Sequence, residues 1–214
     1  MKPAIAFAII PAFSLALGIA PACAQSPEAS PAGFDCAKAN APLEKTICAN
    51  KTLAMLDRET TRVLTLTRED ASVSQPNILK AQDIWIKQRA ECMSSTDKER
   101  CLAESYVGRI STLRSDSRAA RTAKAGISLG PFNAECDNGN TSLSVVFVNS
   151  EPSYVYVAGR KDIIVLKQAL SGSGARYEAQ YPKGQARLWN KGNAAQIALP
   201  GGKDMSCTMA PVGK

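Results

Sequence analysis

The sequence predicts an α+β protein in two small domains, the first helical and the second built of short antiparallel strands. Three observations carry this. Apolar residues recur at helical spacing up to about residue 120 and in short strand-like runs after residue 130. The stretch between, residues 115–130, is polar and basic and reads as a helix end running into a linker. The cysteines remaining behind an N-terminal export signal are even in number, as a set of disulfides requires.

In the first half, Leu53, Leu56, Thr60, Val63, Leu64 and Thr67 fall at three- and four-residue steps on one helical face. Ile78, Ala81, Trp85 and Arg89 repeat that spacing, as do Leu102, Tyr106, Ile110 and Leu113. Asp97 stands where the last of these helices needs an N-cap, and Pro42 near the start of a shorter, earlier one. In the second half the apolar runs shorten to 143–148, 154–157, 162–166, 186–189 and 195–199. Turn clusters such as Asn149-Ser150-Glu151-Pro152 and Pro200-Gly201-Gly202 separate them. No internal repeat is present.

Residues 1–24 fix the expected compartment. Lys2, an apolar run over 4–20 and the small-residue site Ala22-Cys23-Ala24 form a secretory signal peptide. The run is too short, and too interrupted by Pro11, to favour a permanent span. The expectation is a periplasmic or secreted protein beginning near Gln25. A lipid anchor on Cys23 is the alternative, but Ala20-Pro21-Ala22 makes a poor lipobox. Removing the signal takes one of the seven cysteines and leaves Cys36, Cys48, Cys92, Cys101, Cys136 and Cys207. In an exported chain that even set reads as disulfides. Zinc is disfavoured, because there is no Cys-x-x-Cys pair and no histidine. No cofactor and no metal are expected.

The absence of histidine also excludes Ser-His-Asp and Cys-His catalysis. The net charge of +7 is a modest excess, and no basic cluster is interleaved with aromatics, so nucleic acid is not an expected partner.

Two segments near the C-terminus carry chemistry: Ser171-Gly172-Ser173-Gly174-Ala175-Arg176-Tyr177 and Trp189-Asn190-Lys191-Gly192. Each sets a small or basic side chain on a glycine-flanked turn between strand-like runs. A hydroxyl, Ser173, and an ammonium, Lys191, on neighbouring protrusions suit a partner cleft that holds carboxylates. Taken alone, the same residues also describe a flexible Gly/Ser hairpin and an ordinary solvated lysine.

From residue 132 onward the chain resembles the C-type lysozyme inhibitor domain of the MliC/PliC group. The likeness rests on Cys136, the run Leu143-Ser144-Val145-Val146-Phe147, the Ser-Gly-x-x-Tyr element at 173–177, the Trp-x-Lys-Gly element at 189–192, Ala195 and Cys207. It implies a small antiparallel β-barrel over 131–214 and a C-type lysozyme as protein partner. In that family the serine and the lysine of the two elements enter the lysozyme cleft, which assigns those roles to Ser173 and Lys191. Gly174 and Gly192 then allow close backbone approach, and Tyr177 supports or borders the serine loop. The stretch 178–188 is a few residues longer than the family pattern. Its Lys183-Gly184 imitates the lysine element without the tryptophan.

Residues 34–114 resemble the LprI-like lysozyme-inhibitor N-terminal domain. The matching pieces are Phe34-Asp35-Cys36-Ala37-Lys38-Ala39, Glu44-Lys45-Thr46-Ile47-Cys48, Leu53-x-x-Leu56-Asp57, Gln82-x-x-Trp85-x-x-x-Arg89-x-x-Cys92 and Cys101-Leu102-x-x-x-Tyr106-x-x-Arg109-Ile110. Trp85, Arg89, Asp57 and Glu44 are either a binding face or a core tryptophan with charges that hold helices together.

Each half is too small to bury a large core, so covalent staples are worth most here. Of the fifteen connectivities that six cysteines allow, the placement of the elements favours Cys36–Cys48, Cys92–Cys101 and Cys136–Cys207. Two further functional readings stay open. One is an envelope module that binds peptidoglycan or another envelope protein. The other is a Ser/Lys enzyme, which would need a desolvated, neutral Lys191.

Overall fold

The computed structural model describes residue 30 and residues 32–212. The signal segment and Cys23 lie outside the described residues. Helices come first: α1 (Pro42–Ala49), α2 (Lys51–Glu69), α3 (Gln75–Glu91), α4 (Lys98–Asp116) and the short α5 (Arg118–Thr122). Pro42 opens α1, and the Glu44 carboxylate accepts from the backbone N–H groups of Asn40 and Ala41 at 2.9 and 3.0 Å. Glu44 is therefore a helix-capping residue. Asp97 caps α4 by accepting from Arg100 N at 3.0 Å.

Eight strands follow: β1 (Ser128–Cys136), β2 (Thr141–Val148), β3 (Tyr154–Ala158), β4 (Ile163–Ala169), β5 (Ala175–Tyr181), β6 (Gly184–Lys191), β7 (Ala194–Ala198) and β8 (Met205–Pro211). Each pairs antiparallel with the next, and β1 pairs with β8 to close an up-and-down barrel. Closure leaves no free sheet edge. Cys136 and Cys207 face each other across the β1–β8 seam and are disulfide-bonded. In the chain-entropy picture a loop of this length contributes about 4 kcal/mol. The other two disulfides join Cys36 to Cys48 and Cys92 to Cys101, so all three expected pairings are present.

Two large cores organise the molecule, beside a small cluster of Val63, Leu113 and Ala120. One fills the barrel, with Val145, Val155, Leu166, Leu188 and Ile197 fully buried. The other is shared. Val146, Val148, Tyr154 and Val165 point outward from β2, β3 and β4 and pack with Leu53, Leu102, Tyr106 and Ile110 of α2 and α4. Over 145–148, 154–157 and 164–166 strands β2 to β4 are thus covered on both faces, which is why those stretches are apolar rather than alternating. Within 115–130, the segment expected to be a linker, lie the end of α4, all of α5 and the first residues of β1.

A buried polar junction fixes that connection. Arg114, 1 % exposed, donates to the Gly130 carbonyl at 2.7 Å, the Ser128 hydroxyl at 3.2 Å and the Arg121 carbonyl at 2.9 Å. The Glu59 carboxylate of α2 accepts from Ser128 N at 3.1 Å and from the Ser128 hydroxyl. Arg62 donates to both Glu59 oxygens, at 2.7 and 2.8 Å. Burial lowers the Arg114 guanidinium to about 10, and the nearby Glu59 charge opposes that fall.

Candidate functional site

Alternation of direction in the barrel sorts its connections between two ends. The β4–β5 loop (170–174) and the β6–β7 turn (192–193) share one end with the start of β1 and the β2–β3 connection. Ser173 and Lys191 are both exposed at that end. Lys191 makes no ion pair among the described residues. Lys183 sits in the β5–β6 hairpin, at the opposite end.

The two loops are bound together. The Trp189 indole N–H donates to the Ser173 carbonyl at 2.8 Å, and the Ser171 hydroxyl donates to the same oxygen at 2.7 Å. Gly174 has φ +68°, and a Cβ there would stand 2.5 Å from the Asn190 carbonyl oxygen. Glycine is required twice over, by the left-handed backbone and by the close approach. Gly192, at φ +62°, occupies the first central position of a two-residue hairpin, a place that favours glycine. Gly174→Ala should therefore cost about 1–3 kcal/mol of stability and loosen the serine loop. Thermal unfolding together with backbone amide shifts of 171–175 and 189–192 would measure both, and unchanged values would refute the constraint.

Tyr177 is only 4 % exposed and lies inside the barrel, its ring 5.8 Å from that of Phe147. Burial raises its phenol pKa. Its side chain lies on the inner face of the barrel below the loop end. The longer 178–188 stretch forms part of an unbroken β5–β6 ladder, from Ala175 opposite Asn190 to Tyr181 opposite Gly184. Its extra length projects away from Ser173 and Lys191. Sequence reasoning passed over two contributors. Trp189, read only as a motif letter, ties the loops, and Leu170, 96 % exposed, stands beside Ser171. The first had a signal in the fixed spacing Trp-x-Lys, and the second had none.

In the helical half the alternatives resolve to core. Trp85 packs edge-on against Tyr106 at 5.5 Å, and Arg89 lies over the Trp85 ring at 4.6 Å. Arg89 donates to the Tyr106 hydroxyl at 2.7 Å and to Asp57 at 3.3 Å, while Tyr106 donates to Asp57 at 2.7 Å. Burial, with the adjacent Asp57 charge, pushes the Tyr106 phenol far up. The six disulfide-bonded cysteines leave no thiolate among them for zinc. No group of three or more metal-ligating side chains occurs among the described residues.

Comparison with known proteins agrees with this architecture. Residues 135–206, which include both loops, match the family described as membrane-bound lysozyme-inhibitor of c-type lysozyme, MliC. Over 167 residues the chain is 28% identical to lipoprotein LprI of Mycobacterium bovis, covering 74% of this chain and 80% of that protein. Lipoprotein LprI of Mycobacterium tuberculosis matches with the same identity and coverage. No solved structure matches significantly. The barrel thus resembles the MliC lysozyme-inhibitor family over residues 135–206, and the chain is similar to lipoprotein LprI over 74% of its length.

Proposed function

We propose that the protein is an exported inhibitor of C-type lysozyme that inserts the β4–β5 loop and the β6–β7 turn into the active-site cleft, protecting peptidoglycan. The observation that carries this reading is the tie between the two loops. Trp189 and Gly174 hold the Ser173 and Lys191 segments as one preformed projection at a single barrel end. Preorganisation of this kind reduces the entropy lost on binding. A lysozyme cleaves with one protonated and one ionised carboxyl across its cleft. Lys191 would give the ionised one a charge-assisted hydrogen bond, and the Ser173 hydroxyl can donate to or accept from the other. Burying Leu170 beside them would add about 2 kcal/mol.

Residues 131–214 carry the inhibitory loops in this reading, and residues 34–114 brace the barrel from the side. Ser173 and Lys191 are exposed and are not hydrogen-bonded to each other. A solvated pair suits recognition rather than the desolvated dyad that a nucleophile needs. The envelope is the expected site of action, reached through the signal at 1–24. No described helix is long and apolar enough to cross a membrane.

The direct test is clearing of a cell-wall suspension by a C-type lysozyme with the mature protein added at increasing ratio. Stoichiometric loss of clearing is expected. Undiminished clearing at excess protein, with the protein retained on insoluble peptidoglycan, would replace this reading with that of an envelope-binding module.

A further inference from the structure

The loop end of the barrel is not flat. Between the start of β1 and the β6–β7 turn it opens into a cavity of about 280 Å³. Leu129, Phe132, Phe147 and Met209 supply its apolar walls. The barrel interior beyond is filled by fully buried Val145, Leu166 and Leu188, so the cavity is a blind cup. Two of the polar side-chain groups that line it lie on the barrel's inner face and have no hydrogen bond among the described residues. One is the side-chain oxygen of Asn190, which is buried and unpartnered. Asn190 continues the inward register of Ala186 and Leu188 along β6. The other is the hydroxyl of Tyr177, whose ring packs against Phe147. Tyr177 stands opposite Leu188 and Asn190 opposite Ala175, so the two are diagonal neighbours on the inner face.

An unpaired buried acceptor is costly, and an apolar pocket with a few convergent polar groups is the usual form of a small-ligand site. We propose that this cup binds the acetamido group of an N-acetylated amino sugar. The match is chemical. An acetamido group offers one N–H, which the Asn190 oxygen accepts, and one carbonyl, to which the Tyr177 hydroxyl donates. Its methyl group meets the aromatic walls. A blind cup takes a terminal group, whereas an amide inside a peptide chain continues on both sides. A terminal carboxamide lacks the methyl. The cup opens beside Gly192 and Asn193, next to Lys191, so a bound sugar would share this barrel end with the two loops.

The site goes beyond lysozyme inhibition and is read by a separate measurement. The mature, ¹⁵N-labelled protein is titrated with N-acetylglucosamine, with glucosamine, and with trialanine as a peptide carrying internal amides only. Expected are shifts of the Asn190 side-chain amide and of the Gly192 and Asn193 backbone with N-acetylglucosamine alone. Asn190→Leu should weaken binding at least about tenfold, and Tyr177→Phe several-fold, as the loss of a hydrogen bond implies. Should Asn190→Leu lose its fold, Tyr177→Phe and the parent's discrimination between the two sugars decide. Equal shifts with glucosamine, no shift with either sugar, or tighter binding of trialanine would each overturn the assignment, whatever the lysozyme assay gives.

Discussion

Lys191→Ala is expected to weaken inhibition of a C-type lysozyme by about 2–5 kcal/mol, roughly thirty-fold to several thousand-fold, in a protein that still folds. Truncating one member of a charge pair that becomes buried on binding leaves the other charge desolvated and unpaired. Lys191 is exposed and free of ion pairs within the described residues, so the loss should appear in binding and not in stability. Ser173→Ala should cost nearer 1 kcal/mol, the scale of a neutral hydrogen bond. Lys191→Arg should restore only part of the affinity, because a planar fork fits a narrow carboxylate cleft differently from a compact ammonium. Lys183→Ala is the control. It too precedes a glycine, but at the opposite end of the barrel, and it should change affinity by less than about 1 kcal/mol. Inhibition constants for the four variants decide the matter. Full potency of Lys191→Ala with loss in Lys183→Ala would mean the wrong lysine was chosen. Full potency of both would remove cleft insertion.

Glu59→Ala should be the most damaging change away from the loops, lowering stability by about 3–5 kcal/mol. Its carboxylate is buried and accepts from Arg62 and from both the backbone and hydroxyl of Ser128. Removing it takes away the negative charge that favours the buried Arg114 cation and leaves the Ser128 N–H without a partner. The effect is linked to pH. Burial alone would raise the Glu59 pKa, but the hydrogen bonds from Arg62 and Ser128 outweigh it and hold the group below the ordinary glutamate value. A carboxyl whose folded pKa is depressed contributes stability above its unfolded pKa. That stability is lost as pH falls through the folded pKa. The denaturant midpoints of the parent and Glu59→Gln should therefore differ at neutral pH and converge in acid. A gap of constant size down to pH 3 would show that the charge is not the stabilising element.

Much of this architecture is legible in the sequence, and the gaps have physical reasons. The long helices follow from Leu53, Leu56 and Val63 and from Leu102, Tyr106 and Ile110, whose spacing puts one apolar stripe on each. Strands β2, β3, β4, β6 and β7 coincide with apolar runs. β1, β5 and β8 do not stand out as apolar runs. β1 carries Gly130-Pro131 and a register shift between Leu129 and Phe132. β5 and β8 face solvent outwardly with Arg176, Glu178, Ser206 and Thr208. Periodicity detects burial, and a strand half in water with alanine or methionine inside offers little of it. The shared core was visible but unread, since Val145-Val146-Phe147-Val148 has no polar alternation. Ser173 and Lys191 were legible only as a motif. What binds their loops together, the indole of Trp189 on the Ser173 carbonyl, depends on a contact across 16 residues that no local pattern announces.

The outward valines and tyrosine of β2, β3 and β4 matter for anyone who divides this chain. A fragment cut just before residue 128 retains all eight strands and the Cys136–Cys207 staple but loses the cover over Val146, Val148, Tyr154 and Val165. It would display a continuous greasy band along one side, the kind of surface that drives self-association in solution. Light scattering should find that fragment in larger assemblies than the whole chain, and lysine or glutamate at Val146 and Val148 should reduce them. The helices in this molecule act as a fitted cover on which the barrel's flank depends.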